Sequence, residues 1–232
     1  MSLFRKTVTV PASSTSMIDL KKKAAVSLQK QGLTDQRAAV YLVLDHSGSM
    51  HRFYADGSVQ RLAEQALGLS ANLDADGTVP IVYFGSQASE PFDVNLADYE
   101  GVIGRTHPAV PWGLTDYVVA MDTVADHYKQ SGATEPALVI FQTDGAPDDR
   151  RSVEQALRAY STGQIFWAFV GFGNSIGFLE ELDDLPGRAV DNASFFHAGD
   201  PHDVSDETLY DGLTQEYATW LAAATDAGIV RG

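Results

Sequence analysis

The run Tyr41-Leu42-Val43-Leu44-Asp45-His46-Ser47-Gly48-Ser49-Met50 decides how the rest of this chain is read. An apolar stretch that begins at Ala38 breaks off in one carboxylate, followed at i+2 and i+4 by two hydroxyls. A run that is apolar at every position suits a strand covered on both faces. In a loop leaving such a strand, alternate residues tend to point the same way, so Asp45, Ser47 and Ser49 can face one centre. Three hard oxygen groups suit Mg²⁺ or Mn²⁺ better than Zn²⁺ or copper. Taken alone, Asp-x-Ser-x-Ser is equally well a Ser/Gly turn after a strand. The decision comes from further along the chain.

Outward from this run, apolar segments alternate with amphipathic ones. Strands are predicted at Ala38–Leu44, Val79–Phe84, Ala137–Phe141, Ile165–Val170 and Ala193–Phe196, with a weak edge strand near Pro91–Asn95. Between them, helical spacing joins Val59, Leu62, Ala66 and Leu73, then Tyr117, Ala120, Met121 and Val124, then Val153 and Leu157. Ser205 opens a last helix carrying Leu209, Leu213, Tyr217 and Trp220 inward. This alternation implies βαβ crossovers and a doubly wound α/β fold. We expect about six strands in the order 3-2-1-4-5-6, mainly parallel with one short antiparallel edge strand, and helices on both faces. Residues 1–37 read as an N-terminal extension, an extended arm plus a short helix over Ile18–Gln31, and 38–232 as one domain. The triplet Lys21-Lys22-Lys23 reads as a solvated helix face.

The chain has 232 residues, 31 acidic against 16 basic, for a net charge of −15. That balance argues against a nucleic acid partner, whose phosphates need Lys and Arg. The chain has no cysteine, so thiolate metal sites, disulfides and cysteine nucleophiles are excluded. Thr7-Val8-Thr9-Val10-Pro11 is too short and polar for a signal-peptide core, and no apolar run is long enough to span a bilayer. A cytoplasmic protein without membrane insertion is the expectation.

Two strands end in an aspartate directly after an apolar run, at Asp45 and Asp144. In the order 3-2-1-4-5-6 these strands are neighbours where the order reverses, and ligands of doubly wound sheets sit beyond the strand ends there. The loop Trp112-Gly113-Leu114-Thr115-Asp116 precedes the fourth strand's unit and can reach the same crevice. Thr115 or Asp116 also suits the N-cap of the following helix.

Asp45-x-Ser47-x-Ser49, Thr115 and Asp144, in this order and spacing, resemble the metal-ion-dependent adhesion site of von Willebrand factor type A (vWA) domains, which are Rossmann-like. The resemblance covers roughly residues 38–222. Phe141–Asp149, Phe166–Gly173 and Leu182–Gly187 are similar to bacterial vWA proteins associated with tellurium resistance. The resemblance implies that Ser47, Ser49 and in some members Thr115 bind Mg²⁺ (or Mn²⁺ or Ca²⁺) directly, with Asp45 and Asp144 acting mainly through water. Leu114 departs from the pattern, since many members have a second glycine there.

Neutral hydroxyl ligands leave most of the ion's charge uncompensated, so it stays electrophilic towards an outside carboxylate. The expected function is therefore cation-dependent protein binding, in which a partner supplies an Asp or Glu, within a bacterial tellurite or stress-resistance system. The alternative is a metal-assisted hydrolase in the same crevice, but no residue is placed as an obvious general base. His46 and His51 lie near the site and could transfer protons, but read as exposed, incidental loop residues. Asp74-Ala75-Asp76-Gly77 reads as a turn, Gly171–Gly177 as a strand-to-helix turn, and Asp148-Asp149 as the start of a helix.

Overall fold

The order of strands follows from where the apolar runs can be covered twice. In the computed structural model, which describes residues 15–74 and 76–231, β1 (Ala39–Asp45) is buried from Val40 onward. It lies between β2 (Val79–Phe84) and β4 (Ala137–Thr143), parallel to both. β3 (Phe92–Val94) pairs antiparallel with β2 at one edge, and β5 (Ile165–Phe172) and β6 (Ala193–Gly199) continue the sheet beyond β4. The order is β3-β2-β1-β4-β5-β6, as expected, with one antiparallel edge strand.

Alternation along β1 divides the core. Val40, Leu42 and Leu44 join one apolar cluster with Leu62 and Leu67 of α3 (Ser58–Leu73) and Leu209, Leu213 and Trp220 of α8 (Asp206–Asp226). Tyr41 and Val43 join the other, with Tyr117 and Met121 of α5 (Tyr117–Ser131), Leu157 of α6 (Arg150–Tyr160) and Leu179 of α7 (Gly177–Asp183). Polar caps start four of the helices, at Ser16, Asp116, Asp149 and Ser205, each accepting backbone N–H groups of its own first turn, whereas α3 opens on Gly57 without one.

The arm before residue 15 lies outside the described residues. α1 (Met17–Lys30) inserts Leu20, Ala24 and Leu28 into the α3–α8 side of the core. Gly68 makes this approach possible, because a Cβ there would stand 2.9 Å from both Leu20 Cβ and the Tyr210 hydroxyl. The lysine triplet is not uniformly solvated. Lys21 and Lys22 are exposed, whereas Lys23 pairs with Asp206 and Glu207, both at 3.0 Å.

The strands run past their apolar stretches. β1 includes Asp45, β4 reaches Thr143 and β6 reaches Gly199, because backbone ladders continue after side chains turn polar. Two short helices, α2 (His51–Ala55) and α4 (Val102–Thr106), were not expected, being too brief to set up a periodic face.

Candidate metal site

Asp45 follows Tyr41 and Val43 onto the α5 face of the sheet, and Thr143 follows Val139 and Phe141 onto the same face of β4. The two lie one step beyond the last registered pair of these strands, Leu44 with Gln142. Thr143 Oγ1 donates to Asp45 Oδ2 at 2.6 Å, and the Ser47 N–H donates to Asp45 Oδ1 at 2.7 Å. Tyr117 of α5 closes the set from above, its hydroxyl donating to Thr143 Oγ1 at 3.2 Å and to the Gly145 carbonyl.

From Asp45 the chain of polar groups runs outward. Ser47 Oγ and Ser49 Oγ lie 3.2 Å apart, and Ser49 Oγ donates to Asp144 Oδ1 at 2.7 Å. Four of the five expected residues are thus linked at the carboxyl ends of β1 and β4. Asp45 is fully buried and Ser47 nearly so, while Ser49 is exposed and Asp144 half-buried.

The fifth residue arrives by its backbone. Gly113 pairs with Ser47 as an isolated parallel bridge, its N–H donating to the His46 carbonyl at 3.1 Å. A Cβ at Gly113 would fall 2.4 Å from Ser86 N and 2.9 Å from Gly85 Cα, so only glycine lets the β2 and Thr115 loops meet here. Thr115 N–H donates to Asp148 Oδ2 at 2.8 Å, and Asp148 N–H returns a bond to the Thr115 carbonyl at 3.0 Å. Asp116, not Thr115, caps α5. Thr115 therefore lies two residues beyond the Gly113 bridge to Ser47, with a hydroxyl free of hydrogen bonds among the described residues. Leu114, where the family pattern has glycine, is simply exposed, its N–H bonded to Ser86 Oγ at 3.0 Å.

Burial pushes the Asp45 carboxyl up to about 6, against the hydrogen bonds from Thr143 and Ser47, and the Asp144 charge adds to the rise. Among the described residues no Lys or Arg bonds to it, and its partners are a hydroxyl and a backbone N–H. The donor set is all hard oxygen, and among the described residues no three His, Asp or Glu side chains cluster as a metal site. Around a cation with ligands near 2.1 Å, neighbouring octahedral oxygens are roughly 3 Å apart. The 3.2 Å and 2.7 Å separations along Ser47, Ser49 and Asp144 have that spacing. These residues fit a small divalent cation.

His46 corrects the expectation of an exposed, incidental residue. It is fully buried, edge-on to Tyr54 and stacked on Trp112 at 3.8 Å, with Nδ1 3.3 Å from the Pro111 carbonyl. Burial lowers it to about 4. His51 is exposed, as expected, but stacks on Trp112 at 3.7 Å. Thr143 and Tyr117 were missed, and Asp148, read first as part of a helix start and second as an acidic rim of the site, clasps the Thr115 loop. Thr143 alone left a sequence signal, because adjacent strands ending together place it beside Asp45. The pair Asp148-Asp149 divides its work, one clasping Thr115 and the other capping α6. Asp74 and Asp76 make the expected turn, accepting from Asp76 N–H and Thr78 N–H.

A family model described as the vWA found in the TerF C terminus matches residues 37–230. A Bacillus subtilis (strain 168) protein described as uncharacterized, YcbR, is 34% identical over 221 residues, covering 92% of this chain and 90% of its own length. Among solved structures, mussel byssus proximal thread matrix protein 1 with a zinc-occupied MIDAS motif superposes with a TM-score of 0.57 at 14% identity. That match covers 79% of this chain and 48% of the mussel chain, so this chain spans about half of its length. Manganese-loaded TRAP protein from Plasmodium vivax superposes at 0.52 and 19% identity, over 77% of this chain and 75% of that one. At these identities the two structures share the fold.

Proposed function

On the premise that this chain belongs to the vWA family in its TerF-like form, we propose that it is a divalent-cation-dependent protein-binding module whose metal is held by Asp45, Ser47, Ser49, Thr115 and Asp144. The observation that carries the reading is the continuous polar chain from buried Asp45 through Ser47 and Ser49 to Asp144, with no cationic side chain among the described residues bonded to Asp45. Zinc and manganese in the mussel and Plasmodium structures support a divalent ion of this general kind. Mg²⁺ is the ion assigned here, with Mn²⁺ or Ca²⁺ as substitutes, because every donor is a hard oxygen.

The bound cation supplies an electrophilic centre for an Asp or Glu side chain of the partner. The chain's own residues set that up. Thr143 and the Ser47 N–H hold Asp45 in one orientation, Tyr117 holds Thr143, and Asp148 holds the Thr115 backbone. The hydroxyls bring no charge, so the site keeps affinity for an anionic group despite the acidic chain. No residue is assigned a catalytic role. The likeness to tellurium-resistance-associated proteins supports a place in a bacterial stress-resistance assembly, and a chain without cysteine offers no thiolate to bind or reduce tellurium. A cytoplasmic scaffold or sensor fits both. Among the described residues no helix is long and apolar enough to cross a membrane.

Calorimetry with MgCl₂ and MnCl₂ tests the reading. Binding should be lost in Asp144→Ala while circular dichroism stays native, and unchanged affinity would overturn it. Turnover of p-nitrophenyl phosphate with Mn²⁺, abolished in Asp144→Ala, would move the protein to the hydrolases.

A further inference from the structure

Beside the polar cluster the surface opens into a cleft of about 500 Å³, walled by Ala88, Ala109, Val110, Pro111, Trp112 and Gly113. Its remaining lining is Ser86, Gln87 and Ser89, so among the described residues none that lines it is charged, on a chain whose net charge is −15. An uncharged, largely apolar hollow of this size suits an apolar side chain. Trp112 and Leu114 are also two of the five large apolar side chains that stay exposed among the described residues. They flank Gly113 on one loop, two residues before Thr115.

Trp112 is held still. The His46 and His51 rings lie near-parallel to its indole, at 3.8 and 3.7 Å between centroids, and Tyr54 meets it edge-on at 5.3 Å. Two rings that close to one indole centroid cannot share a face, so Trp112 is clamped between the histidines. An exposed tryptophan with its rotamer already fixed loses little entropy on binding, and such residues dominate binding energy.

The cleft is continuous with the polar cluster. Gly113 in its wall pairs with Ser47, and paired strands lie about 4.8 Å apart. An extended peptide advances about 3.4 Å per residue, so a side chain one to three positions from a captured carboxylate reaches the cleft. Resting on the acid-capture reading above, we propose that the Trp112 cleft sets partner specificity. Its occupant is a Leu, Ile, Met or Phe side chain of a partner protein segment, within three positions of the Asp or Glu that seeks the metal.

The test uses the full chain, immobilised, and a synthetic peptide library with a central Asp and randomised flanks, retained in Mg²⁺ and eluted with EDTA. Retained peptides should be enriched in large apolar residues at one flanking position. A peptide so selected should bind at least about ten-fold more weakly to Trp112→Ala, while Mg²⁺ affinity is unchanged. Ala109→Glu places a charge on the exposed rim without disturbing the clamp, and should weaken the same peptide similarly. Mg²⁺-dependent retention with no apolar preference, or a preference that neither variant alters, overturns the cleft and leaves the acid-capture reading standing. Mg²⁺ binding with no Mg²⁺-dependent retention overturns both.

Discussion

Two aspartates in this molecule have almost no solvent exposure and are treated in opposite ways. Asp206, at the start of α8, is 5% exposed and meets two cations, Lys23 of α1 at 3.0 Å and Arg61 of α3, together with the Gln65 amide at 2.8 Å. Burial opposes its ionisation, but the bonds from Gln65 and Lys23 and the Arg61 charge outweigh it and lower its carboxyl. Asp45, fully buried, meets a hydroxyl and a backbone N–H, and its carboxyl is raised. A buried carboxylate with its cations built in ties helices together. One without them carries its charge at a cost that positive charge from outside would relieve. The contrast sets Asp45 apart from Asp206 without reference to any relative.

The sharpest way to break this contrast is to neutralise each aspartate by one isosteric change and measure urea unfolding in EDTA. Asp206→Asn should destabilise by about 3 kcal/mol, because partly buried Arg61 loses its nearest anion and Lys23 keeps only Glu207. Its Mg²⁺ affinity should stay at the wild-type value. Asp45→Asn should move stability the other way, by about 2 kcal/mol, since it removes an uncompensated buried charge and keeps the shape. It should also lose Mg²⁺ binding, the trade between stability and activity expected of a functional site. Equal destabilisation by both variants would make Asp45 a structural residue and end the comparison.

Acid titration sharpens the scaffold half. The Asp206 carboxyl lies below its ordinary value of 3.8, so its contribution is complete above pH 3.8 and is lost as the pH falls through the lower folded value. The stability gap between wild type and Asp206→Asn should therefore be flat from neutral pH down to 3.8 and close only below it. A gap already closing near pH 6 would mean that Lys23 and Arg61 do not hold the carboxylate as described.

The two halves were not equally legible in the sequence. Strands buried on both faces are written as unbroken apolar runs, so β1, β2, β4 and β5 and their order could be read, and with them the meeting of Asp45 and Asp144. The hydroxyls could be read because their spacing is local. The Asp206 network joins three helices, and nothing near Lys23, Arg61 or Asp206 marks one as the partner of another. Asp206 alone reads as an ordinary first-turn acid. His46 was misread for the same reason. Its polar neighbours Asp45 and Ser47 suggest an exposed loop, and the indole that covers it comes from the Trp112 loop, distant in the chain. Short helices such as α2 lie below the length at which periodicity is informative.

The smallest effect probes how the scaffold shares its charge. Lys23 is 31% exposed and divides itself between Asp206 and Glu207, whereas Arg61 and Gln65 also hold Asp206 from the α3 side. Removing Lys23 leaves Asp206 still paired, so Lys23→Gln should cost about 0.5 kcal/mol, well below Asp206→Asn. A cation in this position is partly screened, and the difference from wild type should shrink further in molar salt. If Lys23→Gln instead matched Asp206→Asn, then α1 would supply the decisive charge and Arg61 almost none. The scaffold carboxylate would then depend on a single cation from another segment, and only the source of that cation, covalent or dissolved, would distinguish it from Asp45.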